Sequence, residues 1–239
     1  MTEFPTDGTT DATFLRALRG AALDDALECR FQLGEETVAI ADRQYVLRKP
    51  ANADHLISEA DYVLDERLPY WADLWPAARQ LAATLLAESG AGRSLLELGC
   101  GLGLDTLAAM DAGFAVTATD YYEDALHVTR ANAMRNLGRE PSTRLVDWRH
   151  WPEDIGTFDV VMAADVIYEA EYSTLVARCI SRALAPGGEA ILADPGRIAL
   201  ADFFEGLPTA GLRVSNIDKF EVTDGAVTKE IQIIRIRHG

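Results

Sequence analysis

The sequence is short of lysine. Lys49, Lys219 and Lys229 are its only three, so arginine supplies the other 19 of the 22 basic residues. Against them stand 38 acidic residues, giving a formal net charge of −16. Such a surface repels phosphate backbones at long range. The one short basic run is "IRIRH" near the end of the chain, so nucleic acid is not an expected partner. Acidity keeps a protein soluble, and it also suits a basic protein partner such as one presenting lysine. Long apolar runs are missing too. None approaches the roughly 18 residues of a membrane span, and Met1 to Arg30 has no basic start followed by an apolar block. A cytoplasmic protein without membrane contact is expected. Cysteine is scarce and odd in number: Cys29, Cys100 and Cys179 are widely spaced, with no Cys-x-x-Cys pair. They are expected as reduced thiols packed like small apolar residues. His55, His127, His150 and His238 form no cluster either, so no metal is expected.

What is present is periodic. Hydrophobic residues make up 49% of the 239, enough for a globular chain of one main domain with an appendage. Met1 to Thr10 is polar and reads as a frayed terminus. "DATFLRALRGAALDDALE", Asp11 to Glu28, has helical spacing weakened by Gly20, and "FQLGEETVAI" with "RQYVLRK" alternates like a hairpin. Residues 1–61 are thus expected to form a small helix and hairpin appendage, and residues 62–239 the main domain. There, Pro76 opens a helix that runs to Gly90. Strands are expected at "SLLEL", "FAVTATD", "TRLVD", "FDVVMAAD" and "GEAILAD", with helices at Asp105 to Asp111, "YEDALHVTRANAMRNLG" and "AEYSTLVARCISRAL" between them. Short apolar strands alternating with helices imply an α/β, doubly wound parallel sheet. "LRVSNIDKFEV" and "EIQIIRIR" alternate at period two across a Thr-Asp-Gly turn and predict a closing antiparallel hairpin.

The first strand runs into "ELGCGLGLD". In a doubly wound sheet, ligands sit outside the carboxyl ends of the strands at the switch point where this loop falls. A nicotinamide dinucleotide site requires Gly-x-Gly-x-x-Gly, whereas here Gly99, Gly101 and Gly103 alternate and position 104 is Leu. No Gly-Lys-Ser/Thr follows, which excludes a phosphate-binding P-loop. Glu97 would repel phosphate but favour a ligand carrying an ammonium and a sulfonium. Asp120 ends the second strand where an acid can hold both ribose hydroxyls. Asp147 is placed to accept from an exocyclic adenine amine, and Trp148 to cover the ring. Together these residues describe a nucleoside joined to a cationic amino acid, S-adenosyl-L-methionine.

On "ELGCGLG", with "TATD" following, the sequence resembles the class I S-adenosylmethionine-dependent methyltransferases from about Leu68 to Arg237. The resemblance implies a Rossmann-like sheet of seven strands with the last inserted antiparallel, a methyl-transferring enzyme, S-adenosyl-L-homocysteine as product, and cofactor contacts that include Tyr121. "LPYWADLWPAARQLAATLL" and "ADVIYE" look like the protein-lysine methyltransferases, in particular the group that modifies the electron-transfer flavoprotein β subunit. That group carries an acid-x-x-aromatic motif, matched by Asp165 and Tyr168, which are the catalytic residues the resemblance implies; "ILADPGR" is also similar to a stretch of it. A lysine nucleophile must be neutral, and a carboxylate alone raises an amine's pKa, so Asp165 is expected to align the amine and not to act as a strong base. Trp75 and Asp165 are also expected cofactor contacts; Trp75, with Trp71, is a candidate site wall meeting the sulfonium by cation–π contact, or a core aromatic. Arg197 reads as a solvated loop residue or a contact to an acidic substrate group, and His150 as a weak general-base candidate. A small-molecule N- or O-methyltransferase and a cofactor-binding protein without turnover remain the alternatives.

Overall fold

The computed structural model describes residues 12–52, 56, 69–224 and 227–239. The expected frayed terminus at Met1 to Thr10, His55, Leu68 and the 61/62 boundary lie outside these.

The helix expected over Asp11 to Glu28 is two helices, α1 (Ala12–Ala17) and α2 (Gly20–Phe31). The break falls at Gly20, whose φ of 54° lies in the left-handed region that a side chain disfavours. Helix α2 also runs three residues past Glu28, so the hairpin begins later than expected, with β1 (Leu33–Ile40) and β2 (Arg43–Pro50) antiparallel. A short 3₁₀ turn at Tyr70–Ala72 leads into α3 (Pro76–Leu86), where proline opens the first turn and Ala77, Leu81, Ala82 and Leu85 form the buried stripe.

From there strands and helices alternate: β3 (Ser94–Leu98), α4 (Leu104–Asp111), β4 (Ala115–Asp120), α5 (Glu123–Leu137), β5 (Ser142–Leu145), β6 (Phe158–Ala164), α6 (Ala170–Ala183), β7 (Leu184–Asp194), α7 (Leu200–Gly206), β8 (Leu212–Asp224) and β9 (Val227–His238). The sheet order is β5-β4-β3-β6-β7-β9-β8, so β9 inserts between β7 and β8 and runs antiparallel to both. The other pairs are parallel, and the order reverses between β3 and β6. That switch point opens the crevice in which the glycine loop lies. Two details differ from the sequence expectation. The Pro-Gly-Gly segment belongs to β7 and carries an irregular register against β6, and α7 had no clear signal.

The N-terminal hairpin shares the main core: Val38, Ile40, Tyr45 and Leu47 pack with Leu81, Leu85, Leu107 and Phe114. It docks on α5 through two asparagines one turn apart. Asn136 Oδ1 accepts from Val46 N (2.8 Å) and its Nδ2 donates to Val46 O (2.9 Å). Asn132 Oδ1 accepts from Arg48 N (2.8 Å), while its Nδ2 donates to both Arg48 O (3.0 Å) and Leu102 O (2.9 Å). The two amides thus serve the hairpin edge as a neighbouring strand would. The basic C-terminal run is not a patch: Arg235 pairs with Glu88 and Glu189, and Arg237 with Glu189. Of the three cysteines, Cys100 and Cys179 are buried as expected, whereas Cys29 is exposed on α2. No helix among the described residues is long and apolar enough to cross a membrane, and no His, Cys, Asp or Glu cluster there has metal-binding form.

Candidate active site

An open cleft of about 1160 Å³, its mouth included, lies at the carboxyl ends of β3, β4 and β6. Most of the residues singled out in the sequence line it: Gly99, Gly101, Gly103, Asp120, Tyr121, Asp147, Trp148, Asp165, Tyr168, Trp71 and Trp75. Glu97 does not.

The floor is the glycine loop. Gly99 N and Cys100 N both donate to Thr119 O at 2.9 Å, which ties the loop to the end of β4. Gly103 has φ 87°, and a Cβ there would meet Thr129 at 2.8 Å, so neither the backbone angle nor the space admits a side chain. A Cβ on Gly99 would face Val166 at 3.3 Å and Trp148 at 3.7 Å, within the space the cleft leaves for a ligand. Asp120 fixes this loop as well as facing the cleft: Oδ2 accepts from Gly101 N (3.0 Å) and Oδ1 from Tyr122 N (2.9 Å). The Tyr121 backbone also donates to it, and the carboxylate keeps capacity for a further donor. Burial pushes the Asp120 carboxyl up to about 6, against the backbone hydrogen bonds.

Glu97 points under the loop, buried, and accepts from the Thr106 hydroxyl. Burial raises it to about 8; the Thr106 bond opposes this and Asp120 adds to it. The acid that does line the cleft from this side is Asp105, in the first turn of α4. It is 4% exposed, its Oδ1 is buried without a hydrogen-bond partner, and burial with the nearby Glu97 holds its carboxyl well above the usual range. No lysine or arginine among the described residues pairs with Glu97, Asp105 or Asp120. In the sequence Asp105, two residues after Gly103, stood only as the first residue of the expected helix.

On the next strand end, Asp147 is held by its own turn. It accepts from Arg149 N (2.9 Å), from the Arg149 guanidinium (3.0 Å) and from His150 Nδ1 (3.1 Å). Against the desolvation of partial burial, these bonds pull its carboxyl down to about 2. His150 is thereby engaged and largely exposed, unlike a general base in a cleft. Trp148 packs edge-on against Tyr172 (5.8 Å) with its ring toward Gly99, and Arg149 lies over the half-exposed Tyr121 ring. Val146, also lining, had no distinguishing signal in the sequence.

The opposite wall is aromatic. Trp75 Nε1 donates to Tyr70 O (3.0 Å), the Tyr70 ring meets Trp75 at 5.9 Å and Tyr168 at 5.5 Å, and Tyr168 continues to Tyr172 at 4.8 Å. Trp71 is more deeply buried and packs on Phe31 of α2 (6.0 Å), so it is wall and core together. Asp165 follows β6 with φ 55°, a left-handed angle that Asp tolerates better than most residues. Its amide donates to Ala193 O (2.9 Å) of β7, and its side chain is 3% exposed. Arg197 closes on it with a two-pronged bridge, Nε to Oδ1 at 2.7 Å and Nη2 to Oδ2 at 2.9 Å. Arg197 is therefore not a solvated loop residue.

Residues 95–188 match the family model described as a methyltransferase domain. Among individual proteins, the chain is similar to the electron transfer flavoprotein beta subunit lysine methyltransferase of Danio rerio. The two are 32% identical over 139 residues, covering 56% of this chain and 53% of that protein. It is also similar to protein N-lysine methyltransferase METTL21A of Xenopus tropicalis, 33% identical over 106 residues, covering 42% of this chain and 49% of that protein. The chain thus spans about half the length of these relatives. Among solved structures, the fold is shared with magnesium protoporphyrin IX methyltransferase from Synechocystis PCC 6803 with bound SAM: TM-score 0.55, 17% identity, 78% of this chain and 95% of that one.

Proposed function

We propose that this chain transfers a methyl group from S-adenosyl-L-methionine to the side-chain nitrogen of a protein lysine, leaving S-adenosyl-L-homocysteine. One observation carries the reading: a single cleft joins a glycine loop ringed by buried, cation-free acids to an aromatic-walled carboxylate at the end of β6. Buried acids without a cationic partner among the described residues call for a cation from outside, and the cofactor carries two. The acids and the Trp148 ring beside Gly99 fit it. The similarity to relatives named as protein-lysine methyltransferases supports the acceptor class.

In this reading Gly99, Gly101 and Gly103 let the main chain approach the cofactor, and Asp120 offers its remaining acceptor capacity to the ribose. Asp105, backed by Glu97, faces the amino-acid ammonium, and Trp148 with Tyr121 covers the base. Asp147 is bound to Arg149 and His150, so it serves more as the brace of that pocket than as a free acceptor. When bound, the cofactor supplies a methyl carbon activated by an adjacent sulfonium. The chain's task is alignment and exclusion of water. Asp165 accepts a hydrogen bond from the incoming amine, Tyr168, Tyr70 and Trp75 wall its approach, and the proton the nitrogen sheds leaves to water at the cleft mouth. The β1–β2 hairpin acts as a brace, because Asn132 joins its backbone to the glycine loop at Leu102.

The test is to incubate the protein with methyl-tritiated S-adenosylmethionine and a lysate of source cells lacking this gene. Label in a discrete protein band, released as methyl-lysine on hydrolysis, is the expected result. Label confined to the small-molecule fraction would replace the lysine reading with a metabolite acceptor.

A further inference from the structure

An amine about to be methylated needs its lone pair, yet a lysine of ordinary pKa, about 10.4, is almost wholly protonated at pH 7. A bare carboxylate makes matters worse, since an opposite charge within about 4–6 Å favours the ammonium. Asp165 is not bare. Both of its oxygens are taken up by one guanidinium, with 2.7 and 2.9 Å contacts, and its side chain is all but enclosed.

The bridge is built into the sheet. Strands β6 and β7 are parallel neighbours with Ala164 opposite Ala193, so Asp165 and Asp194 stand side by side at the carboxyl edge. The two acids have different tasks. Asp194 Oδ1 accepts from Gly196 N (2.7 Å) and Arg197 N (2.8 Å), and Gly196 takes the φ of 80° that the turn requires. That turn aims the Arg197 side chain back at Asp165. The Trp75 ring lies against the guanidinium, 5.7 Å from Cζ to centroid, and is itself fixed by its bond to Tyr70 O. Only an arginine presents two parallel donors and stays charged throughout the working range.

We propose that Arg197 is a positioning residue acting through Asp165. By holding that carboxylate and cancelling its charge, it turns an attractor of ammonium into a hydrogen-bond acceptor for a neutral amine. The inference rests on the lysine acceptor proposed above. The other ionisable groups facing the pair are Asp194 from the β7 turn, Tyr70 from the 3₁₀ turn, and Asp73, Tyr168 and Glu169 around the cleft. Burial raises Asp194, the backbone bonds of Arg197 and Gly196 opposing, so charge at this edge is already disfavoured. None of these groups is a cation. Removing Arg197 leaves a bare carboxylate at the acceptor position, and the bound amine then holds its proton to higher pH.

The experiment compares the wild type with Arg197→Gln and Arg197→Lys. Each is loaded with methyl-labelled S-adenosylmethionine and held in saturating excess over protein from the gene-deleted lysate, and methyl-lysine is followed through one turnover from pH 6.5 to 9.5. Under saturation the profile reports ionisation in the complex. Arg197→Gln should be slower at pH 7 by about tenfold or more, and its profile should level off about one pH unit higher, so that the deficit closes as pH rises. Arg197→Lys, which keeps the charge but not the fork, should recover part of the rate with a profile near the wild type's. Calorimetry should find cofactor Kd within about twofold in all three. A Gln deficit of the same size at every pH, or none, would overturn the inference and leave the lysine reading standing. If Arg197→Gln does not fold, a Lys profile displaced by about a unit or more overturns it, and a Lys profile like the wild type's upholds it. Wild-type protein that forms no methyl-lysine would overturn both.

Discussion

The two sides of the cleft handle charge in opposite ways. At the ends of β3 and β4, Glu97, Asp105 and Asp120 are buried with no lysine or arginine partner among the described residues, and burial holds all three carboxyls above their usual range. At the ends of β6 and β7, Asp165 is just as buried but fully engaged by Arg197. One side lacks a cation and the other contains one. The first is therefore suited to a ligand that brings positive charge with it, and the second to a ligand that arrives neutral. A fold shared by many enzymes does not dictate this division; a few side chains at four strand ends do.

The largest effect expected is on the acceptor side. Asp165→Asn keeps a residue tolerant of the left-handed φ but loses the charge that orients Arg197, and turnover should fall by about a hundredfold or more, with cofactor Kd nearly unchanged by calorimetry. Loss of cofactor binding instead would erase the distinction between the two sides. Asp120→Ala should do the reverse: it removes hydrogen bonds to the loop and the proposed ribose contact, weakening Kd by about 30- to 150-fold. Normal affinity in that variant would remove Asp120 from the cofactor side.

Smaller effects test the frame that holds the two sides. Asn132 is fully buried and joins Arg48 N, Arg48 O and Leu102 O. Asn132→Ala should destabilise the fold by about 3 kcal/mol in urea titration, and it should loosen cofactor binding because Leu102 belongs to the glycine loop. Lys219→Ala, which deletes an exposed pair with Glu230, should shift stability by no more than about 0.5 kcal/mol.

Much of the first side was legible in the sequence, because its parts are local. Three glycines between an apolar strand and a helix, and an acid at the end of the next strand, lie within a few residues of their strand ends. The alternating apolar runs likewise placed the strands of the seven-stranded sheet. What escaped depends on contacts between distant segments. The Arg197 bridge spans 32 residues and follows from the β6–β7 register, which no local pattern encodes. The docking of the N-terminal hairpin rests on two asparagines 84 to 90 residues away that, read alone, are mediocre helix formers. Glu97 was placed on the right strand but turns inward to Thr106, while Asp105, which faces the cleft, was absorbed into the helix start.

The division of charge across the cleft is tested most directly by titrating S-adenosylmethionine calorimetrically from pH 5.5 to 8.5 in pairs of buffers with different ionisation enthalpies. Glu97, raised to about 8, and Asp120, raised to about 6, hold protons in the ligand-free protein below those values. An arriving cation favours their ionised forms. Binding is expected to release protons at pH 7, and affinity should rise with pH through this window. An affinity independent of pH with no proton released would contradict that division of charge.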